Sequence, residues 1–259
     1  MLLHIREAHP SCPTPIVFLH AIGTSGWMWE RQFSDLTDFH CLAPDMPGHG
    51  GSRAIRWQSF EQSADLIADL IRRKFPGKRA HLVGLSLGSY VGLQLLARHP
   101  EVVGRAILSG LNVQPLPHKW LLNAAAYLIA PLIKTGFSAR LNANALKIPA
   151  DQFDGYRQSL QELSLGSFIT ASHNATAFTV PAAIARLQTP TLLVAGAREH
   201  PMILKSLSQL HRLLPRSQAL LAPDAGHGWN GERPALFSAM VRSWCMAGEL
   251  PPDLIKVPL

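Results

Sequence analysis

The sequence predicts an α/β protein with a mostly parallel, doubly wound sheet that carries an inserted all-helical segment. Short apolar runs alternate with longer amphipathic segments over residues 2–108, as in strands joined by crossover helices. The alternation stops after Asn112 and resumes at Thr191, and the chain between them has only helical patterns broken by Pro and Gly. We therefore expect one large sheet domain with a helical insertion.

The individual elements follow from the spacing of their apolar residues. Residues 16–19 are wholly apolar and begin with two β-branched side chains, as expected of a strand covered on both faces. Residues 59–75 place Phe60, Ala64 and Ile67 on one stripe of a helix. On this basis we expect strands at 2–8, 16–19, 40–43, 80–83, 103–108, 191–195 and 218–222, and helices at 27–36, 59–75 and 89–97.

The insertion divides the chain into a core, residues 1–112 and 188–259, and a cap, residues 113–187. Ligands of open parallel sheets bind at the carboxyl ends of the strands. We therefore expect the cap to cover a site at that edge. Apolar side chains are dense over residues 120–133 of the cap, which favours a substrate with a medium-sized hydrophobic acyl or alkyl group.

Composition and charge indicate a globular protein that acts on a small molecule. Hydrophobic residues make up 47% of the chain and charged residues 16%, which excludes a disordered chain. The net charge is +7, but the basic residues are scattered. Their tightest group, residues 72–74, ends a predicted helix, where cations complement the helix dipole. We therefore expect no nucleic-acid partner, and a monomer or homodimer.

The chain is expected to be cytoplasmic and to have no membrane partner. Residues 1–7 carry charges and lack the long apolar core of a secretory signal. The longest apolar stretch, residues 124–133, is too short to cross a bilayer. Cys12, Cys41 and Cys245 have no metal-ligand spacing and are expected to be buried reduced thiols.

Ser86 is the predicted nucleophile. It is the centre of Gly84-Leu85-Ser86-Leu87-Gly88, which lies between a predicted strand and a predicted helix. In that context a G-x-S-x-G pentapeptide forms a nucleophile elbow, because the glycines leave room for a strained turn that pushes the hydroxyl clear of the sheet. The helix N-terminus also provides free N–H groups for an oxyanion.

A serine nucleophile needs a base and an acid that orients the base. His227 and Glu199 both follow predicted strands, so their loops meet at the same edge of the sheet as Ser86. Asp224 is an alternative acid, although its position favours bonds within its own loop. Glu199 could instead be an exposed partner of Arg198.

Four segments together resemble the α/β-hydrolase superfamily, in particular the small, single-cap bacterial esterases and lactonases. The pentapeptide around Ser86 is the first. The segment Phe18-Leu19-His20-Ala21-Ile22 is similar to the family's oxyanion strand end, and Pro44–Ser52 is similar to its D-x-P-G-x-G-x-S loop. The segment from Gly226-His227 to Pro234 is similar to its histidine loop. The resemblance covers nearly the whole chain outside the cap.

The resemblance implies a catalytic triad of Ser86, Glu199 and His227, with the backbone N–H groups of Ile22 and Leu87 as the oxyanion hole. It implies no metal and no organic cofactor. Two residues depart from the family pattern. Ala21 replaces a usual glycine, and Glu199 stands where aspartate is usual, which leaves open whether Glu199 or Asp224 is the acid.

The predicted activity is serine esterase chemistry: hydrolysis of a hydrophobic carboxylic ester or lactone through an acyl-enzyme on Ser86. The same residues could serve a carbon–carbon bond hydrolase, a thioesterase or a perhydrolase, because the motifs do not separate these reactions. From a different class, a ligand-binding receptor could retain the fold and pocket without turnover. The natural substrate is not predicted by the sequence.

Overall fold

The computed structural model describes residues 2–146 and 148–257. They contain the strands β1 Ile5–Ala8, β2 Pro15–Leu19, β3 His40–Pro44, β4 Ala80–Leu85, β5 Val103–Ser109, β6 Thr191–Gly196, β7 Ser217–Ala222 and β8 Ile255–Lys256. The strands form one sheet in the order β1-β3-β2-β4-β5-β6-β7-β8. The edge pairs β1–β3 and β7–β8 are antiparallel, and the five pairs between them are parallel.

Helices cover both faces of the sheet. They are α1 Glu30–Asp35, α2 Phe60–Lys74, α3 Leu87–Arg98, α4 Lys119–Ile129, α5 Gly136–Ala145, α6 Phe153–Glu162, α7 Leu165–Thr176, α8 Pro201–Leu213, α9 Trp229–Glu232 and α10 Pro234–Cys245. Short 3-10 turns lie at Gly26–Trp29, Gly50–Ser52, Pro100–Val102, Leu132–Lys134, Ala150–Gln152 and Ala182–Arg186. The predicted fold class, a mostly parallel α/β sheet, is confirmed.

The hydrophobic core consists of two layers, one on each face of the sheet. Successive residues of a strand point to opposite faces, so Ile16 and Phe18 enter one layer while Val17 and Leu19 enter the other. All four side chains are fully buried. Burial on both faces explains why β2 has no polar residue. It also holds the carboxyl ends of β2 and β4 to β7 in fixed positions.

Two expectations about the elements were wrong, and one strand was not expected. The first strand begins at Ile5 rather than at residue 2, because its antiparallel partner β3 ends opposite Ile5 at Pro44. The expected helix over 27–36 is a 3-10 turn followed by the short helix α1. β8 was not expected, because it exists only through its pairing with β7, distant in sequence.

The helices α4 to α7 occupy the insertion between β5 and β6. Trp27 Nε1 donates to Ser159 Oγ of α6 at 2.6 Å, and the carbonyl of Gly48 accepts from Ser164 N, just before α7, at 2.9 Å. Trp27 follows β2 and Gly48 follows β3, so these helices lie over the carboxyl edge of the sheet. The bounds 113–187 for the cap stay a prediction.

Some residues of the predicted units lie outside the described residues. These are Lys147 in the predicted cap, and Met1, Pro258 and Leu259 in the predicted core.

Candidate active site

Ser86 occupies the sharp turn between β4 and α3. Its backbone has φ 54° and ψ −114°, and its N–H donates to the carbonyl of Ser109 at 2.8 Å. A positive φ in a non-glycine residue costs about 1–3 kcal/mol, which the surrounding packing must offset. The Ser86 hydroxyl does not cap the helix, and it has no hydrogen-bond partner among residues 2–146 and 148–257. It is therefore free to react.

The glycines on either side of Ser86 are required by close packing. A Cβ on Gly84 would lie 2.7 Å from the carbonyl oxygen of Gly88. A Cβ on Gly88 would lie 2.1 Å from the carbonyl oxygen of Leu19 at the end of β2. Neither contact is possible for a real side chain, so only glycine lets the turn close and lets α3 approach β2.

His227 and Glu199 form a close pair at the same edge of the sheet. Glu199 lies in the loop after β6, His227 lies in the loop after β7, and His227 Nδ1 is 2.6 Å from Glu199 Oε1. The Glu199 side chain is 4% exposed and that of His227 is 26% exposed. Because a carboxylate only accepts, Nδ1 carries the proton. The lone pair of Nε2 then remains available to accept a proton from a hydroxyl.

The end of β5 connects this pair to the serine turn. Ser109 accepts from Ser86 N, as described, and the next residue, Gly110, lies against both members of the pair. A Cβ on Gly110 would be 2.9 Å from His227 Cε1 and 3.2 Å from Glu199 Oε1. The three predicted triad residues therefore surround one strand end. No hydrogen bond joins Ser86 Oγ to His227 in this described part of the chain.

The two predicted oxyanion donors lie at the ends of adjacent elements. Ile22 follows β2, and Leu87 is the first residue of α3. Neither backbone N–H donates a hydrogen bond within the described ranges, as expected for Leu87 in the first turn of a helix. The close approach of Gly88 to the Leu19 carbonyl brings these two segments side by side.

A family comparison is consistent with this geometry. A model of the Alpha/beta hydrolase family matches residues 16–240 of the chain. The chain belongs to this family.

Relatives of this α/β hydrolase extend over almost its whole length. An AB hydrolase superfamily protein of Gibberella zeae is 26% identical, over 97% of this chain and 87% of that protein. The thermophilic esterase of Thermogutta terrifontis has a TM-score of 0.80 at 22% identity, over 95% of this chain and 93% of that one. The enol-lactonase of Burkholderia xenovorans has a TM-score of 0.77 at 22% identity, over 94% of this chain and 96% of that one. These structural likenesses show the fold.

The α/β hydrolase brings Glu199, and not Asp224, to His227. Asp224 is exposed, and its carboxylate accepts from Arg198 at 2.9 Å. The expectation that Asp224 bonds within its own loop was therefore wrong, and so was the alternative that paired Glu199 with Arg198. Arg198 and Glu199 are neighbours in one loop, yet the Arg198 side chain is exposed and bonds to Asp224, whereas the Glu199 side chain is buried and bonds to His227.

The acid and histidine loops are held together by contacts that the sequence analysis missed. A Cβ on Gly196 would lie 2.2 Å from the carbonyl oxygen of Ala225, so the two loops touch through their backbones. Glu232 Oε1 accepts from the N–H of Gly226 at 3.0 Å, which fixes the residue before His227. The only sign of these close contacts in the sequence is the position of Gly110 and Gly196, each a glycine at the carboxyl end of a strand.

A buried histidine supports the segment that carries Ile22, one of the two predicted oxyanion donors. His20 Nδ1 donates to the carbonyl of Ala21 at 2.8 Å, and His20 Nε2 accepts from Met46 N at 2.9 Å. Only a neutral imidazole can make both bonds. Burial lowers the pKa of His20, with Asp45 opposing the shift, so the neutral form is favoured. His20 is a positioning residue for the segment that carries the Ile22 N–H.

His49 packs against His20, with ring centroids 5.0 Å apart. Its Nδ1 donates to the carbonyl of Pro47 at 3.0 Å, while its Nε2 is buried and has no hydrogen-bond partner among the described residues. Burial and the neighbouring His20 lower the pKa of His49 to about 3.

No cluster of at least three His, Cys, Asp or Glu side chains among the described residues could hold a metal ion. None of the helices described here has both the length and the apolarity needed to cross a bilayer.

Gly110→Ala should damage the active site without unfolding the protein. Its Cβ would press on the His227 ring, at a φ of +66° that alanine tolerates poorly. Since displacements of about 1 Å can cost about 10²-fold in rate, we expect kcat to fall by that order in an ester hydrolysis assay. Gly136→Ala is the control, because no atom lies within 4 Å of its Cβ position. Equal kcat values for the two variants would contradict the contact.

Acid should destabilise the protein through its buried histidines. An unfolded histidine binds a proton near pH 6.5, whereas folded His49 does so only near pH 3. Between these values the unfolded state holds more protons, so the free energy of unfolding falls as the pH falls, by up to about 1.4 kcal/mol per pH unit for each such group. Urea melts of wild type and His49→Gln test this. In His49→Gln the free energy of unfolding should depend less steeply on pH than in wild type. The exposed control, His118→Gln, should have the same slope as wild type. Equal slopes for wild type and His49→Gln would contradict the role given to His49.

Proposed function

We propose that the protein is a serine hydrolase that cleaves a carboxylic ester or lactone through an acyl-enzyme on Ser86. The observation that carries the proposal is the 2.6 Å contact between His227 and the buried Glu199 carboxylate, beside the strand end that accepts the Ser86 N–H. A buried carboxylate on Nδ1 both fixes the tautomer of a general base and stabilises its protonated form. The free hydroxyl of Ser86 supplies the nucleophile.

In the first half-reaction Ser86 Oγ attacks the substrate carbonyl carbon while His227 Nε2 takes the hydroxyl proton. This step requires Ser86 Oγ to turn towards Nε2 as substrate binds, a contact that is often long before binding. The carbonyl oxygen becomes an oxyanion, for which the N–H groups of Ile22 and Leu87 are the proposed donors. The intermediate collapses when Nε2 returns the proton to the leaving alcohol.

In the second half-reaction water attacks the acyl-enzyme with the same proton transfers, releasing the acid and restoring Ser86. In a lactone the leaving alcohol stays attached to the acyl group, so a single hydroxy acid is released. Neither half-reaction requires a metal or an organic cofactor.

An apolar groove supports a hydrophobic substrate. It has a volume of about 660 Å³ and is lined by the apolar side chains Leu116, Leu121, Leu122 and Ile203. His200, the residue after Glu199, also lines it, so one end of the groove adjoins the acid loop. An acyl or alkyl chain in this groove would lie beside the loop that carries Glu199, and none of Ser86, Glu199 and His227 lines the groove itself.

Carbon–carbon bond hydrolases, thioesterases and perhydrolases use the same arrangement, and a substrate panel must separate them. A non-catalytic receptor is disfavoured by a specific observation. Binding alone has no need for a buried carboxylate bonded to a histidine next to an unbonded serine hydroxyl, because burial of such a charge is costly.

Ser86→Ala should abolish hydrolysis of short p-nitrophenyl esters. Loss of the nucleophile in a serine triad costs about 10⁴-fold or more in kcat. The control is Ser34→Ala, which removes an exposed hydroxyl bonded to the Glu30 carbonyl and should retain full activity. An inactive wild type, or equal rates for wild type and Ser86→Ala, would overturn the proposed function.

Glu199→Gln should reduce kcat far more than Asp224→Asn. The first change keeps the side-chain shape but removes the charge on Nδ1, and loss of a triad carboxylate costs about 10⁴-fold. The second removes an exposed ion pair with Arg198 and should change kcat by less than about twofold, since such pairs contribute little. The opposite ranking would assign the acid to Asp224.

A further inference from the structure

Exposed apolar side chains are concentrated on one part of the cap. Of the thirteen large hydrophobic residues that are exposed in the described chain, nine lie between residues 120 and 141. They are Trp120, Leu121, Leu122, Tyr127, Leu128, Ile129, Leu132, Phe137 and Leu141. We call these nine the apolar cap surface. Soluble proteins rarely expose so many apolar side chains together, and such patches mark interaction sites.

The helix α4 provides most of this surface and is unusual in its burial. None of its residues is buried. Its one packed side faces α7, where Thr176 Oγ1 donates to Asn123 Oδ1 at 2.8 Å and the Tyr127 ring meets His173 edge-on at 5.3 Å. The rest of the helix is apolar and open, with Leu128 74% exposed. A helix whose solvent-facing side is apolar needs a cover.

The charged side chains of the segment that carries the apolar cap surface are all positive. The chain contains no Asp or Glu from Val102 to Ala150. Lys119 and Arg140 are exposed at the start of α4 and within α5, and Lys134 lies between them, where its Nζ donates to the carbonyl of Gln161. The missing occupant is therefore apolar at its centre and negative at its rim.

An anionic lipid surface has that combination. Leu, Ile and Phe side chains enter the acyl boundary, Trp and Tyr prefer the headgroup level, and Lys and Arg bind anionic headgroups. A second copy of the chain fits less well, because a symmetric dimer would place Lys119 and Arg140 against cations of the same patch.

We propose that the apolar cap surface docks the protein onto an anionic lipid bilayer, with α4 lying in the plane of the membrane interface. The expectation of no membrane partner rests on the lack of a spanning segment and on the scatter of the basic residues, whereas a helix that lies on the surface does not need the length of a span. The apolar groove shares Leu121 and Leu122 with this surface. Docking thus places the mouth of the groove against the bilayer. The proposal does not require the protein to be a hydrolase.

Vesicle co-sedimentation of the full chain tests the proposal. Wild type should bind vesicles containing phosphatidylglycerol at least about tenfold more tightly than vesicles of phosphatidylcholine alone, and added salt should weaken the binding. Trp120 is a built-in reporter, because it is 69% exposed while the other five tryptophans are less than a tenth exposed. Its fluorescence should shift to the blue when the anionic vesicles are added.

Variants separate the apolar and the charged contributions. Leu128→Glu with Phe137→Glu changes two positions that are 74% and 80% exposed. The double variant should bind at least about tenfold more weakly without a lower melting temperature, since neither side chain is buried. Met246→Glu, at a residue that is 62% exposed outside the cap, is the matched control and should bind like wild type. The double variant Lys119→Ala with Arg140→Ala should bind vesicles containing phosphatidylglycerol more weakly than wild type, with an affinity close to that for phosphatidylcholine vesicles.

Three results would overturn the proposal. The first is no binding of wild type to vesicles containing phosphatidylglycerol. The second is equal binding by the Leu128/Phe137 double variant and the Met246 control. The third is a wild type that forms a stable dimer by light scattering and does not bind vesicles, together with a Leu128/Phe137 double variant that is monomeric. That result would assign the surface to a second copy of the chain.

Discussion

The positive φ of Ser86 is the constraint on which the rest of the site depends. The turn closes only because Gly84 and Gly88 have no side chains, and at Gly88 the helix α3 rests against the carbonyl of Leu19. The packing that holds Ser86 at a positive φ also decides where its hydroxyl points, since the side of the turn that faces Gly84 and Gly88 is filled by backbone atoms. One backbone geometry therefore orients the proposed nucleophile, the first N–H of α3 and the segment after β2.

The sheet brings the remaining groups to that turn. Parallel strands end at one edge, and β5 ends between the serine turn and the pair formed by Glu199 and His227. The His227 ring lies so close to Gly110 that a Cβ there would be 2.9 Å from its Cε1 atom, so the ring has little freedom to move. The buried carboxylate is tolerated because it accepts a charge-assisted hydrogen bond from the Nδ1–H of His227. Packing and electrostatics thus support the same orientation of the imidazole.

The cap follows a different rule from the core. Its helices α6 and α7 bond to loops of the core, whereas α4 leaves its apolar side chains in solvent. Exposed apolar area is unfavourable by about 25 cal/mol for each Å². A surface that keeps such an area, on a segment whose charged residues are all cations, is suited to a partner that removes it from water. The proposed chemistry and the proposed docking surface meet at the groove beside the acid loop.

The sequence alone determined the fold class, the position of the serine turn and the order of the strands that carry Ser86, Glu199 and His227. These are local properties, because apolar spacing and glycine placement act within a few residues. Only the tertiary structure decided that Glu199 meets His227 while Asp224 meets Arg198, that β8 exists, and that the residues of α4 stay uncovered. Each of these depends on contacts between segments far apart in the chain, which no local pattern contains.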